Sequence, residues 1–483
     1  MSDFLKDGLA RNFLAGSWVD GDNGASIAVE DPGNQDHVAD CARAGEESVG
    51  KALEAARSSF ERGDLADMNP AERGRLMIRI AQEIRNIADE GAVLLCRESG
   101  KTLEAARDEF IEAAQYFEYY GGVADKIEGK SIPLGPGYAD YTVFEPYGVS
   151  AQIVPWNFPV SIAGRSLAPS MAAGNSTIIK SPELDPIGLA MLGVALERAE
   201  VPAGAVSILN GIGSDLGAKL VASSQVDQIV FTGSVPTGQN ILRSAADNVI
   251  PSLMELGGKS AAVAFDDADL DTLMSSLQSG VFYNAGQVCS AMARVLVHRS
   301  IYDQAVERAA ELANGLSVGH GLENPDHTPV ISALQLQRVE EITSTARQDG
   351  ARVAAGGARL DRNGYFMAPT ILADVDPASR VAQDEVFGPV TCFTPFDTEA
   401  EAIAMANGTE FGLVAGIFTH DLARAHRVAR KLRAGQVFVN EWFAGGISTP
   451  FGGVGKSGFG REKGLEALYN YVRTKNIAIS LKG

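Results

Sequence analysis

Residues 176–210 read STIIKSPELDPIGLAMLGVALERAEVPAGAVSILN. The stretch opens on a short β-branched run, passes through the periodic segment DPIGLAMLGVALERAE, and closes on a second apolar run, AVSILN. Strand, helix, strand in that order is a β-α-β unit, whose two strands lie parallel in one sheet. The rhythm extends both ways, with VSAQIV before it and QIVFTG after it. Strand-like runs alternating with helical stretches predict an α/β fold with a doubly wound parallel sheet, Rossmann-type, covered by helices on both faces. After Glu255 the alternation resumes with SAAVAF, the helical LMSSLQSGVFYNAG and then ARVLVH, which predicts a second α/β domain.

Upstream, from Glu46 to Tyr120, apolar residues recur at three- and four-residue spacing and predict helices. The period then changes: YADYTVFEPYGVSAQIVPW alternates and is rich in Tyr, Val and Ile, and the tail NYVRTKNIAIS returns to the same pattern. Both predict strands. No tandem repeat or low-complexity linker interrupts the chain.

Composition narrows the function classes. The chain has 483 residues, 45% hydrophobic and 21% charged, so it is long enough for two or three folded domains. Lys plus Arg is 41 and Asp plus Glu is 61, a net charge of −20. That balance repels phosphate backbones and anionic lipid, which argues against nucleic acid and membrane as partners. The start, MSDFLKDGLARNFLAG, lacks a signal-peptide core, and no apolar run approaches the ~20 residues of a membrane span. Cys41, Cys96, Cys289 and Cys392 lie far apart with no C-x-x-C pair, so neither a disulfide scaffold nor a metal site is expected. A reduced, cytoplasmic, globular protein is expected.

Three Gly-Lys-Ser/Thr triplets, at 100–102, 258–260 and 455–457, each lack the earlier glycine of a triphosphate loop: those positions hold Leu95, Leu253 and Pro450. Turn chemistry accounts for the triplets. NGIGSDLG supplies Gly211, Gly213 and Gly217 in an irregular dinucleotide spacing, and FTGSVPTG adds a Gly233-Ser234 turn and a helix start near Thr237. Backbone N–H groups at such a start can receive a phosphate.

Four segments carry the chemistry: PWNFP with Asn157, IIKSPE with Lys180 and Glu183, MELGGKS with Glu255, and GQVCS with Cys289. With DEVFGPV (384–390) and TPFGGVGKSGFGREKG (449–464), they resemble the NAD(P)-dependent aldehyde dehydrogenase superfamily through nearly the whole chain. The resemblance implies an aldehyde dehydrogenase-like fold. It divides the chain into a cofactor domain (1–126 and 148–255), a catalytic domain (256–448) and an oligomerising β-segment (127–147 and 465–483). It also implies oxidation of a small-molecule aldehyde to the acid, with NAD preferred, NADP possible, and a homodimer or homotetramer. The alternatives are a semialdehyde dehydrogenase of the succinate-semialdehyde type, a phosphorylating or coenzyme-A-acylating relative, and a non-catalytic member of the fold.

By resemblance the catalytic residues are Cys289, Asn157, Glu255 and Lys180, with Cys289 the nucleophile, Asn157 the oxyanion donor (and also a cofactor-cleft residue) and Glu255 the base for the deacylating water, chemistry that suits a thiol, an amide and a carboxylate. Lys180 and Glu183 are placed for the adenosine ribose, and Val154, Pro155, Trp156, Gly213 and Leu256 for the dinucleotide cleft. Gly233, Ser234 and Thr237 face the pyrophosphate, and Glu385 and Phe387 the nicotinamide ribose and ring. Phe158, Arg165, Tyr283 and Phe443 are the candidate substrate residues. Each position has a plainer reading: an inert buried thiol, a turn asparagine before a helix near Pro159, a solvated strand-end carboxylate, surface ion pairs, a core aromatic, and for Arg165 a helix-surface ion pair. Trp442 and Phe443 in NEWFAGGIST point to a bulky or apolar aldehyde.

Overall fold

The structure is a computed structural model that describes residues 4–482. Its largest sheet has eight strands, ordered Gly458–Phe459, Ser252–Leu256, Gln228–Gly233, Val149–Ile153, Ser176–Ser181, Val206–Asn210, Asn12–Leu14 and Ser17–Val19. The five central strands are parallel. From Val149–Ile153 the chain steps outward through two strands, then returns to the other side of its starting strand. The crevice where strand order reverses is where open α/β sheets bind ligands. Residues 154–157, 180–183, 211–213, 233–234 and 255–256 all follow or close the carboxyl ends of these strands.

The segment DPIGLAMLGVALERAE forms two short helices, Pro186–Ala190 and Leu192–Arg198, rather than one. Gly188 packs on Leu95 and Glu98, and Gly193 on Phe13 and Trp18, so closely that a Cβ would lie about 3 Å or less from them. Close approach is gained there at the expense of helix propensity, about 1 kcal/mol per glycine.

The second sheet has seven strands around Arg294–His298 and Ala261–Ala264, all parallel except the edge pair Arg352–Ala355 and Thr370–Ala373. Among the described residues before Glu46 the chain makes six short strands that the sequence did not announce. Each is two to six residues long, too short for a periodic signal.

Three helices, Glu46–Glu61, Pro70–Ser99 and Leu103–Val123, match the periodic region. Gly100 closes the second in the left-handed conformation (φ +78°), and the Thr102 side chain accepts from Ala105 N–H to open the third. The triplet at 100–102 is therefore a joint between helices.

Tyr138–Pro146 and Val472–Ser480 pair antiparallel along their whole length, within one chain. Each strand satisfies the other's facing hydrogen bonds, and together they form a two-stranded ribbon. Residues Glu466–Tyr469, in the tail segment, form a helical turn that buries Ala467 and Leu468 in the core beside the first sheet. Gly458–Phe459 pairs with Ser252–Leu256, which folds the 449–464 motif back onto the strand bearing Glu255. Among the described residues no helix is long and apolar enough to cross a membrane.

Candidate active site

Cys289 is delivered by a broken helix. Leu270–Leu277 is α-helical and Gln278–Phe282 a wider turn; then Asn284, Ala285 and Gly286 take φ of +49°, +52° and +72° and reverse the chain. The helix expected over LMSSLQSGVFYNAG thus holds only in its first half. Gly286 is required, because a Cβ there would lie 2.1 Å from the Gly388 carbonyl oxygen. Gly258 is equally tight against the Cys289 carbonyl, at 2.5 Å. Cys289 is half-buried, while the other three cysteines are buried. Burial pushes its thiol up to about 12; Arg165 opposes that and the Glu255 and Glu385 carboxylates reinforce it. The sulfur is therefore a thiol at neutral pH in this state and needs a base to become a nucleophile.

Two cavities meet at Cys289 and Asn157. One, about 370 Å³, is lined by Trp156, Ser234, Glu255, Leu256, Glu385 and Phe387, and reaches the switch-point crevice. The other, about 300 Å³, is lined by Phe158, Arg165, Tyr283 and Phe443. Both lie in the range of small-ligand sites. Molecules entering from opposite sides reach the same sulfur.

Glu255 is not a solvated strand end. It is 2% exposed, and neither carboxylate oxygen has a hydrogen-bond partner. A Cβ at Gly452 would stand 2.6 Å from its Oε1. Burial raises the carboxyl well above its ordinary value; Glu462 adds to this, and Arg165 and Arg461 act against it. A buried carboxyl lining a cavity with unfilled hydrogen bonds has room to accept from a ligand or water there. Asn157 is no helix cap either. The cap position is Phe158, without a side-chain hydrogen bond, and Asn157 Nδ2 donates to the Gln287 carbonyl at 3.0 Å.

On the crevice side, Lys180 Nζ meets Glu183 Oε2 at 2.6 Å, and a Cβ at Gly213 would stand in ordinary van der Waals contact with both side chains. Burial raises the Glu183 carboxyl, but the charge and hydrogen bond of Lys180 outweigh it and hold the carboxyl below its usual value. This cluster, with Lys180 itself, lines neither cavity that reaches Cys289. Val154 N–H continues the sheet to the Lys180 carbonyl, and Pro155 and Gly233 line the crevice. Ser234 caps the helix Val235–Asn248 by accepting from Thr237 N–H. Trp156 and Phe387 meet edge to face at 5.1 Å. Glu385 Oε1 accepts from Gly258 N–H at 3.0 Å, and burial raises its carboxyl to about 7. An ion pair, a capped helix start and an aromatic slot along one crevice fit the adenosine, pyrophosphate and nicotinamide parts of a dinucleotide.

Phe158 and Tyr283 stack at 5.9 Å, and Phe443 holds a φ of +68° beside them. Arg165 is buried rather than on a helix surface: its Nε lies 2.5 Å from Glu462 Oε2, and its guanidinium lies over Phe451. The pair is close but not aligned as a hydrogen bond, so charge holds it. Trp442 turns away from the cavity and donates its indole N–H to the Ser290 carbonyl at 3.0 Å. The sequence reading assigned no role to Lys101, Glu109, Asn284 or Glu462. Lys101 and Glu462 sat in quoted motifs, but contacts between distant segments leave no local pattern. Among the described residues no group of three or more His, Cys, Asp or Glu is placed to hold a metal ion.

The family model described as "Aldehyde dehydrogenase family" matches residues 18–477. The chain is 36% identical over 472 residues to a betaine aldehyde dehydrogenase of Bacillus subtilis, covering 96% of each. It is also 36% identical to a mitochondrial benzaldehyde dehydrogenase of Antirrhinum majus, over 97% of this chain and 88% of that one. The NAD+ complex of an aldehyde dehydrogenase from Bacillus cereus superposes with a TM-score of 0.97 at 36% identity, covering 99% of this chain and 98% of that one.

Proposed function

The chain belongs to the aldehyde dehydrogenase family, and on that premise we propose that it oxidises an aldehyde to the carboxylic acid with NAD as acceptor. The observation that carries this reading is the meeting of two cavities at Cys289, with Glu255 and Asn157 beside it. As the Cys289 thiol gives up its proton to water, its sulfur attacks the aldehyde carbon and the carbonyl oxygen becomes an oxyanion. Asn157 Nδ2 has two N–H donors; one is held by Gln287, and the other, with the Cys289 backbone N–H, stabilises that oxygen. Bound NAD would supply the acceptor for the hydride the carbon loses, and that loss leaves a thioester on Cys289. Glu255 then takes a proton from water as it attacks the thioester, and the acid leaves.

Lys180 and Glu183 hold the adenosine ribose in this reading, Ser234 the pyrophosphate, and Glu385 and Phe387 the nicotinamide end. A carboxylate at Glu183 accepts from a ribose 2′-hydroxyl and repels a 2′-phosphate, which favours NAD; NADP needs Glu183 to swing away. The domain division 1–126 with 148–255, 256–448, and 127–147 with 465–483 goes with this assignment, as do a cytoplasmic location and a homodimer or homotetramer. The substrate proposed is an aliphatic or aromatic aldehyde, which Phe158, Tyr283 and Phe443 support, as does the benzaldehyde named for the Antirrhinum relative. Asp108 and Glu112 on the same wall favour, as a second reading, a cationic aldehyde of the kind named for the Bacillus subtilis relative.

Glu255→Gln tests the roles directly. Rapid mixing should give a burst of close to one NADH per active site and then a stalled steady state, because Glu255 serves the attacking water of the second step and not the thiol of the first. Loss of the burst itself would contradict the assignment.

A further inference from the structure

We propose that Lys101, with Glu109, is a positioning device for the oxyanion donor, gripping the backbone from Asn157 to Ser161 at three points. The inference rests on the role assigned above to Asn157. Asn157 lies in the unstructured turn between the strand Val149–Ile153 and the helix Pro159–Ala173. No regular secondary structure fixes its backbone. Its carbonyl oxygen accepts from Lys101 Nζ at 2.9 Å and from Asn284 Nδ2 at 3.0 Å. Both lone pairs are thereby used.

Lys101 comes from the joint between the two long helices and forms an ion pair with Glu109, eight residues on. The second oxygen of Glu109 accepts from Val160 N–H at 3.1 Å and Ser161 N–H at 3.2 Å, the free donors of the helix that the Asn157 turn leads into. The Lys101 ammonium also lies 4.8 Å from the Phe158 ring centroid. Lys101 is 1% exposed and Glu109 3%. A buried ion pair is weak evidence for stability, since apolar replacements of equal volume often match it. What an apolar pair could not do is hold a carbonyl and two N–H groups of the catalytic turn in fixed places.

The test compares Asn157→Ala, Lys101→Met and the double variant Lys101→Met/Glu109→Gln, which leaves no unpaired buried charge. Three quantities are read for each: the single-turnover NADH burst rate, NAD affinity, and alkylation of Cys289 by iodoacetamide. Alkylation proceeds by displacement at a saturated carbon and makes no oxyanion, so it does not use Asn157. Lys101→Met and the double variant should slow the burst ~10- to 100-fold, the scale of a ~1 Å misplacement. Their NAD affinity and alkylation should stay unchanged. A normal burst in either Lys101 variant, beside a slowed Asn157→Ala, overturns the proposal and leaves the oxyanion role standing. A normal burst in Asn157→Ala overturns that role and the proposal with it. All three readouts falling together, or a double variant that does not fold, reduces the cluster to a structural one and also overturns the proposal.

Discussion

At the residue scale, Arg165 decides most about the substrate. In sequence it is a candidate substrate residue eight residues after Asn157, where the resemblance to semialdehyde-type members would give it a substrate carboxylate to hold. In the structure its charge is already matched by Glu462, with the buried Glu255 in the same electrostatic neighbourhood. A substrate carboxylate would have to displace Glu462 or be desolvated beside two more carboxyl groups, and like charges in a dry cavity repel strongly. Benzaldehyde or hexanal should therefore exceed succinate semialdehyde in kcat/KM by at least ~10-fold, about 1.4 kcal/mol. Steady-state NADH assays of the three compounds check this. A preference for succinate semialdehyde, abolished by Arg165→Ala, would show that the arginine releases Glu462 for the substrate. The residues proposed to touch reactants, namely Cys289, Asn157 and Glu255, are legible in sequence because each sits in a short motif. Glu462 and Lys101 act through contacts across 297 and 56 residues, to Arg165 and Asn157 respectively, and such contacts exist only in the fold.

At the scale of elements, the turn that carries the nucleophile matters more than the helix before it. Three successive positive φ values reverse the chain at Asn284, Ala285 and Gly286. Gly286→Ala adds a left-handed alanine and a methyl group 2.1 Å from the Gly388 oxygen. Such strain costs ~1–3 kcal/mol. The variant should lose several degrees of Tm, and its Cys289 alkylation and NADH burst should slow together, since the sulfur moves with the turn. A variant with normal burst kinetics would mean that the turn relaxes without moving Cys289. Sequence periodicity extended the helix through this turn because Leu273, Leu277, Val281 and Phe282 keep helical spacing and are all buried. The apolar pattern records burial, not backbone direction. The β-α-β units were read correctly for the complementary reason: each strand there is long enough, and buried on both faces, to stand out as a continuous apolar run. The six strands before Glu46 are too short for that.

At the scale of the whole molecule, two properties follow from how charge and edges are distributed. Burial raises the carboxyls of Glu98 to about 8 and Glu385 to about 7, and the folded protein binds protons there that the unfolded chain has lost above about 4.5. Stability must fall as pH rises through that interval. His327, lowered by burial to about 4, acts the opposite way only below about 6.5. Between pH 6.5 and 8, then, Tm should decline, and calorimetry at constant ionic strength should show a shallower decline for Glu98→Gln. Glu98 accepts from Ile187 and Gly188 N–H, and a glutamine oxygen can keep one of those bonds. A flat or rising Tm would contradict the buried-carboxyl account. The second property concerns the ribbon of Tyr138–Pro146 and Val472–Ser480. Two strands alone are marginally stable in water; residues 130–132 border the outer edge of Tyr138–Pro146 near Tyr141, and among the described residues the outer edge of Val472–Ser480 stays unpaired. Its side chains include the exposed Tyr138, Tyr141 and Ile479, with Leu481 just beyond, an apolar surface that one chain leaves uncovered. If a second copy covers this surface, the intact protein should be a dimer or tetramer by light scattering. A chain ending at Tyr471 keeps the buried turn Glu466–Tyr469 but loses the ribbon. It should be monomeric and retain NAD binding, since no residue assigned to the crevice lies beyond 387. An intact chain that scatters as a monomer at micromolar concentration would sink the idea. A truncated chain that still assembles would move the interface elsewhere.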